Sequence, residues 1–151
     1  MMLRDQINAA LKEAMKSQDK RRMATLRLIN AAVKDRDIAA RTAGKDSVSD
    51  DEIRELLQKM VRQRDESAVV YAEAGRTELA EQEREEIEII KDFLPRQLSE
   101  DEVRCACEEV VKAIGAHGLR DMGKCMATLK ERFPGQMDFG RASTVVKQML
   151  G

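Results

Sequence analysis

Residues 49–76, "SDDEIRELLQKMVRQRDESAVVYAEAGR", contain the clearest helical pattern of the chain. Ser49 and Glu52 have the spacing of a capping box, in which each side chain accepts a hydrogen bond from the backbone N–H of the other residue. Apolar residues then recur every three or four positions, as they do in a helix with one buried face: Ile53, Leu56, Leu57, Met60, Val61, Ala68 and Tyr71. Gly75 follows where a left-handed residue ends a helix. The stretch predicts one long amphipathic helix, which needs other helices to cover its apolar face.

The neighbouring segments have the same period. A helical stripe covers residues 3–15, a second helix starts near Arg22, and a further one after Gly75 runs to Phe93-Leu94, where Pro95 marks its boundary. Aromatic residues make up only 3% of the chain and Trp is absent, so strand-forming residues are scarce. We therefore predict an all-α fold, whose N-terminal domain, residues 1–94, is a set of antiparallel helices.

A second module starts at Ser99, which forms another capping box with Glu102. Residues 95–99 are interpreted as a linker. Three shorter apolar stripes follow, separated by "GAHG" (115–118) and "PGQMD" (134–138). This pattern predicts a small C-terminal domain of three helices over residues 99–151.

The charge of the chain is balanced overall but not locally. Lys and Arg number 27 and Asp and Glu 28, for a net charge of −1. Residues 1–50 carry 11 cations and 7 acids, residues 51–100 carry 8 and 14, and residues 101–151 carry 8 and 7. A nucleic-acid-binding surface would therefore have to be a local patch. The first sixteen residues are amphipathic and contain acids, unlike a secretory signal, so we expect a cytoplasmic protein.

The cysteines and the histidine do not form a recognisable reactive or metal-binding motif. Cys105, Cys107 and Cys125 are odd in number, and a separation of two residues turns a helix by about 200°, so Cys105 and Cys107 point to opposite faces. His117 is the only histidine and lies in a turn between two glycines. We expect the cysteines to be small apolar core residues, with neither a metal nor a cofactor.

The pair Gly123-Lys124 raises the question of phosphate binding. It is not a P-loop, because Cys125 replaces the required Ser or Thr and no buried strand precedes it. Two interpretations remain open. In one, Asp121 caps a helix, Gly123 allows close packing and Lys124 is solvated. In the other, the helix N-terminus and the Lys124 ammonium share one phosphate.

The two predicted helices that flank Gly75 each place one charged residue in their apolar stripe. These residues are Arg64 before the turn and Glu83 after it. An unpaired buried charge is costly. We therefore predict an ion pair between Arg64 and Glu83 across the hairpin.

Five stretches together resemble the YqeY family: "KMVRQRDES" (59–67), "AGR" (74–76), "EREEIEIIKDFLPRQLSEDEV" (83–103), "MGKCM" (122–126) and "GQMDFGRASTVVKQML" (135–150). That family is similar to the helical C-terminal region of GatB, a component of the glutamine-dependent tRNA amidotransferase. The resemblance covers nearly the whole chain and implies an all-α fold with a tail domain. It also implies a link to carbon–nitrogen ligase activity with glutamine as amido-N-donor. The chain has nothing resembling the catalytic parts of that enzyme, so we expect no catalysis by this chain alone.

Two functions follow as alternatives. The resemblance implies a tRNA-binding accessory module, and the residues expected to contact phosphates are Gly123, Lys124, Lys130, Arg132, Arg141 and Arg76. The other is a protein-interaction module that docks through an exposed helical surface, with Met122 and Met126 as its adhesive stripe.

Overall fold

A computed structural model describes residues 2–151 of the chain. The helices are α1 Leu3–Ser17, α2 Lys20–Thr42, α3 Asp50–Glu73, α4 Thr77–Lys91, α5 Glu100–Ile114, α6 Met122–Arg132 and α7 Phe139–Leu150. A 3₁₀ turn, Leu119–Asp121, leads into α6. The described part of the chain contains no β-strand, so the predicted all-α fold is confirmed. No helix within residues 2–151 is both long enough and apolar enough to cross a bilayer.

The chain divides into two compact units, one ending at Leu94 and the other spanning Pro95–Gly151. Each unit has its own apolar core. Fully buried side chains of the first core include Ile7, Leu26, Ile29, Ile53, Leu57 and Ile90. Those of the second include Cys107, Val110, Cys125, Leu129, Ala142 and Val146.

The predicted ends of α3 are confirmed. Ser49 Oγ accepts a hydrogen bond from the Glu52 N–H at 3.2 Å, and the Glu52 carboxylate accepts one from the Ser49 N–H at 3.3 Å. At the other end Gly75 has a φ of +75°, which is the left-handed conformation. The Arg76 N–H donates to the Tyr71 carbonyl at 2.8 Å and the Gly75 N–H to the Ala72 carbonyl at 3.1 Å, the bonds of a Schellman motif. The chain therefore reverses at a turn that glycine permits without strain.

Two helix bounds differ from the sequence prediction. α2 begins at Lys20 rather than near Arg22, because the Asp19 side chain accepts from the Arg22 N–H and caps the helix two residues earlier. α4 ends at Lys91 rather than at Phe93-Leu94. The next three N–H groups bond three residues back, as in a tightened last turn. Pro95 disfavours the helical conformation of the residue before it, so the α-helix cannot continue through Leu94.

The predicted Arg64–Glu83 ion pair is wrong in its acidic partner. Arg64 Nε donates to Glu86 Oε2 at 3.1 Å, and the Glu86 carboxylate also accepts from Gln82 Nε2 at 3.5 Å. Arg64 lies eleven residues before Gly75 and Glu86 eleven after it, so a hairpin that reverses at Gly75 places these two opposite each other. Glu83 lies about one helical turn closer to Gly75 than Glu86 does, so it is not opposite Arg64. Burial and, next, the neighbouring Glu86 carboxylate raise the pKa of Glu83.

A second ion pair of the first unit joins the first turn of α1 to the C-terminal part of α2. Arg4 donates to both carboxylate oxygens of Asp37, at 2.8 and 3.0 Å, and thereby links α1 to α2. The Val48 N–H donates to the same carboxylate at 3.0 Å, which ties down the segment that precedes α3. The Arg4 hydrogen bonds, followed by the one from Val48, lower the pKa of Asp37 to about 2.

Replacing Glu86 with Ala should destabilise the protein, because Arg64 is left partly buried without its partner. The two side chains are only 15% and 12% exposed, and the expected loss is about 2–4 kcal/mol in the free energy of unfolding measured with urea. Glu83→Ala is the matched control on the same helix and should stay within about 1 kcal/mol of wild type. A larger loss for Glu83→Ala than for Glu86→Ala would contradict the pairing.

Asp37→Asn should cost about 2 kcal/mol at pH 7, less than for a fully buried pair because the Arg4 side chain is 28% exposed. The folded-state pKa of Asp37 lies below its unfolded value of about 3.9, so the carboxylate stabilises the fold above that pH. The difference in stability between wild type and variant should therefore shrink as the pH falls from about 4 to about 2. Urea unfolding at a series of pH values measures it, and a constant difference would show that the ion pair contributes nothing.

Candidate nucleic-acid-binding surface

The first turn of α6 contains the predicted phosphate ligands. Gly123 and Lys124 are the second and third residues of the helix, and both are exposed. A side chain at position 123 would meet no other atom within 4 Å, so the interpretation that Gly123 allows close packing is wrong. Gly123 and Lys124 therefore lie at the exposed start of α6, where the Met122 N–H already donates to the Leu119 carbonyl of the preceding 3₁₀ turn.

Asp121 places a negative charge beside this helix end. Its side chain makes no capping bond to α6, contrary to the capping interpretation, and instead accepts from the His117 N–H at 3.1 Å. That hydrogen bond, followed by the nearby charges of Arg120 and Lys124, lowers the pKa of Asp121. The carboxylate is ionised at neutral pH, so it opposes the Lys124 ammonium in attracting an anion.

The C-terminal end of α6 and the start of α7 carry three further predicted residues. Lys130 Nζ lies 5.9 Å from the centroid of the Phe139 ring, a cation–π contact that joins the two helices. Arg132 is the last residue of α6, about 12 Å along the axis from Lys124. Arg141 lies in the first turn of α7, where the Asp138 carboxylate already accepts from its N–H. Phosphate would thus meet the side chain of Arg141 and not the backbone of α7.

Charge is segregated among the helices of Pro95–Gly151. α5 carries five acids and two cations, whereas residues 122–150 carry five cations and two acids. All five of these cations are exposed: Lys124, Lys130, Arg132, Arg141 and Lys147. Two of the three helices therefore present mainly positive charge to solvent, although the unit is nearly neutral.

The remaining predicted residue, Arg76, belongs to the other unit. It is exposed at the N-cap position of α4, in the turn of the α3–α4 hairpin. The same unit carries cations that sequence reasoning did not locate. α2 alone holds seven cations and two acids, and the available signal was the excess of positive charge over residues 1–50.

The exposed methionine stripe predicted for protein docking is wrong. Met122 and Met126 are partly buried and pack against the core of the second unit. Both lie on the side of α6 that carries the buried Cys125 and Leu129, so the helical period that marks them as a stripe marks a core face.

The prediction that all three cysteines are core residues is right for two of them and wrong for Cys105. Cys107 and Cys125 are buried, as predicted, whereas Cys105 is exposed. Burial raises the pKa of the Cys107 and Cys125 thiols, so both stay protonated at neutral pH. Within the described residues, no group of three or more His, Cys, Asp and Glu side chains is placed to hold a metal ion.

Comparison with known proteins gives the family. A family model described as Yqey-like protein matches residues 4–150. The chain belongs to this family. The predicted resemblance is thereby confirmed over nearly the whole sequence.

A curated relative comes from the yeast Lachancea thermotolerans. It is named altered inheritance of mitochondria protein 41, mitochondrial, and is 36% identical over 84 residues. The match covers 56% of this chain and 43% of the relative, so the chain spans less than half of that protein's length.

Proposed function

We propose that this chain is an accessory protein that holds tRNA through the exposed cations of α6 and α7. The observation that carries the proposal is the segregation of charge within Pro95–Gly151, which leaves a nearly neutral unit with five exposed cations and two acids over residues 122–150. Lys and Arg side chains bind phosphate oxygens and release the counterions of the nucleic acid, so these two helices attract a polyanion. The resemblance to the tail of GatB suggests tRNA as that polyanion.

Contacts of this kind position an RNA without reading its sequence. Base recognition in single strands relies on exposed aromatic rings, and the chain has only three Phe and one Tyr. The ring of Phe139 is engaged by Lys130. We therefore propose binding to the folded, double-helical parts of tRNA, whose shape and backbone are shared among tRNA species.

The carbon–nitrogen ligase activity with glutamine as amido-N-donor would belong to a partner enzyme. In this proposal the chain presents the tRNA, and the partner supplies the chemistry of amide transfer. Lys124 supports the proposal as an exposed cation in the first turn of α6, and the Asp121 carboxylate beside it opposes the attraction of an anion there.

A protein-interaction module is the second candidate function. It is favoured by Val69 and Val70, which are 53% and 62% exposed near the turn of the α3–α4 hairpin. Adjacent exposed apolar side chains at the end of a helical hairpin are suited to a groove on a partner protein.

The double variant Lys124→Gln/Arg141→Gln should bind bulk tRNA more weakly than wild type, by roughly tenfold or more at 0.1 M salt. The loss should be similar for different tRNA species, and the slope of log affinity against log salt should become shallower by about 2.

Asp121→Asn should increase the affinity, because it removes a negative charge beside the site and keeps an oxygen that can accept from the His117 N–H. Fluorescence anisotropy over a salt titration measures all three quantities.

The matched control is Arg104→Gln/Lys112→Gln, which removes two exposed cations from the acidic helix α5 of the same unit. It should change the affinity and the salt dependence much less. Equal losses of affinity for the two double variants would reject the exposed cations of α6 and α7 as the binding surface. Wild-type protein that binds no tRNA, but loses a protein partner after Val70→Asp, would favour the second candidate function.

A further inference from the structure

Four cations form a straight row along α2. Lys20, Arg27, Lys34 and Arg41 occur at every seventh residue, and all four are exposed. Seven residues turn an α-helix by about 700°, which is within about 20° of two full turns, and advance it by about 10.5 Å. The four side chains therefore project from one side of the helix along about 31 Å of its length.

The packing of α2 determines that this row faces solvent. The opposite side of the helix is buried against the rest of the first unit through Thr25, Leu26, Ile29, Val33, Asp37 and Ala40. The residues that alternate with the cations along the row are Ala24, Ala31 and Ile38, and they are also exposed. Two of these three carry only a methyl group, so a flat or convex partner can approach the helix closely.

The row is not neutralised within the protein. Arg21 and Arg22, on the flank of α2 that meets α4, form ion pairs with Glu85 and Asp92 at 3.2 and 3.0 Å. In the described part of the chain no such pair engages the four cations of the row, and only Arg41 is attracted from within the fold, by the Asp37 carboxylate. Asp35 is the exposed acid of α2, since Asp37 is buried and bound to Arg4. Arg21 and Arg22 are thus paired within the fold, whereas Lys20, Arg27 and Lys34 are left for an external anion.

We infer that the α2 row, Lys20, Arg27, Lys34 and Arg41, binds the phosphate backbone of a double-helical RNA segment. The spacing of about 10.5 Å exceeds the axial rise between successive phosphates of one strand, which is about 3.4 Å in a DNA duplex and no larger in an A-form RNA duplex, so each cation meets a separate phosphate. A rigid helix with a straight row suits a rigid duplex better than a flexible single strand. α2 contains no aromatic residue on which unpaired bases could stack.

An anionic membrane surface fits the row less well than RNA does. Helices that lie in a membrane interface insert a continuous apolar face rich in Trp, Phe and Leu beside their cations. Along the row α2 offers two alanines and Ile38, and its continuous apolar face is already buried in the core. The exposed surface of α2 supplies positive charge but no continuous apolar face that could insert into a bilayer. Binding to an RNA backbone requires only the positive charge.

This inference shares its class of partner with the proposed function but rests on a different unit of the chain. The test uses the full chain with Arg27→Gln/Lys34→Gln, and bulk tRNA as the probe. The control Lys12→Gln/Lys16→Gln removes the same charge from exposed positions of α1 in the same unit. The α2 variant should lose roughly tenfold or more in affinity at 0.1 M salt, and its log–log salt slope should become shallower by about 2, whereas the control should change little. Thermal unfolding of both should match wild type.

Equal effects of the two double variants, or none, would overturn the inference. So would loss of binding to phosphatidylserine vesicles in the α2 variant with unchanged affinity for tRNA. The Lys124→Gln/Arg141→Gln variant, measured in parallel, separates the two proposals. If this variant binds tRNA like wild type while the α2 variant binds more weakly, the α2 row is supported and the proposed surface on α6 and α7 is rejected. The reverse result supports only the surface on α6 and α7.

Discussion

The rotation of α2 about its own axis is the constraint on which the first unit depends. Leu26, Ile29 and Val33 have to leave water together, and burial of each such side chain is worth about 1.5–3 kcal/mol. Only one orientation of the helix buries all of them, and in that orientation every seventh residue from Lys20 onward is directed to solvent. The Arg4–Asp37 ion pair fixes the same orientation, because the buried carboxylate lies on the inner side of α2 and is held by α1 and by the Val48 N–H. The core thus decides where the positive charge is exposed.

Within the described residues, both units expose positive charge that has no acidic partner. In the first unit, Arg21 and Arg64 point toward a neighbouring helix and are paired with Glu85 and Glu86. Other cations remain on exposed positions of α2, or of α6 and α7, while α3, α4 and α5 each carry more acids than cations. A chain with a net charge of −1 therefore carries local positive surfaces, which is the arrangement that phosphate-backbone binding needs and that overall composition conceals.

Much of the fold could be predicted from the sequence because its signals are local. The capping boxes at Ser49 and Ser99 and the left-handed Gly75 each involve residues within a few positions, and the structure has them where the pattern indicates.

The acidic partner of Arg64 could not be predicted in the same way, because it depends on the register of two helices. One helical turn separates Glu83 from Glu86. Met122 and Met126 show a limit of prediction from helical periodicity. The period identifies an apolar stripe, but it does not tell whether other helices cover that stripe. The α2 row was present as a spacing of seven residues, yet only the burial of the opposite side identifies it as an exposed surface.

The most direct measurement is chemical acetylation of lysines in the full chain, with and without bulk tRNA, quantified for each residue by mass spectrometry. Lys20 and Lys34 of α2 and Lys124 of α6 are exposed, as are Lys12 and Lys16 of α1, so all five should react in the free protein. We expect tRNA to protect Lys20, Lys34 and Lys124 but to leave Lys12 and Lys16 reactive, and high salt to remove the protection because the contacts are electrostatic. Protection of Lys12 and Lys16 to the same degree, or no protection of any lysine at low salt, would contradict tRNA binding at these two surfaces.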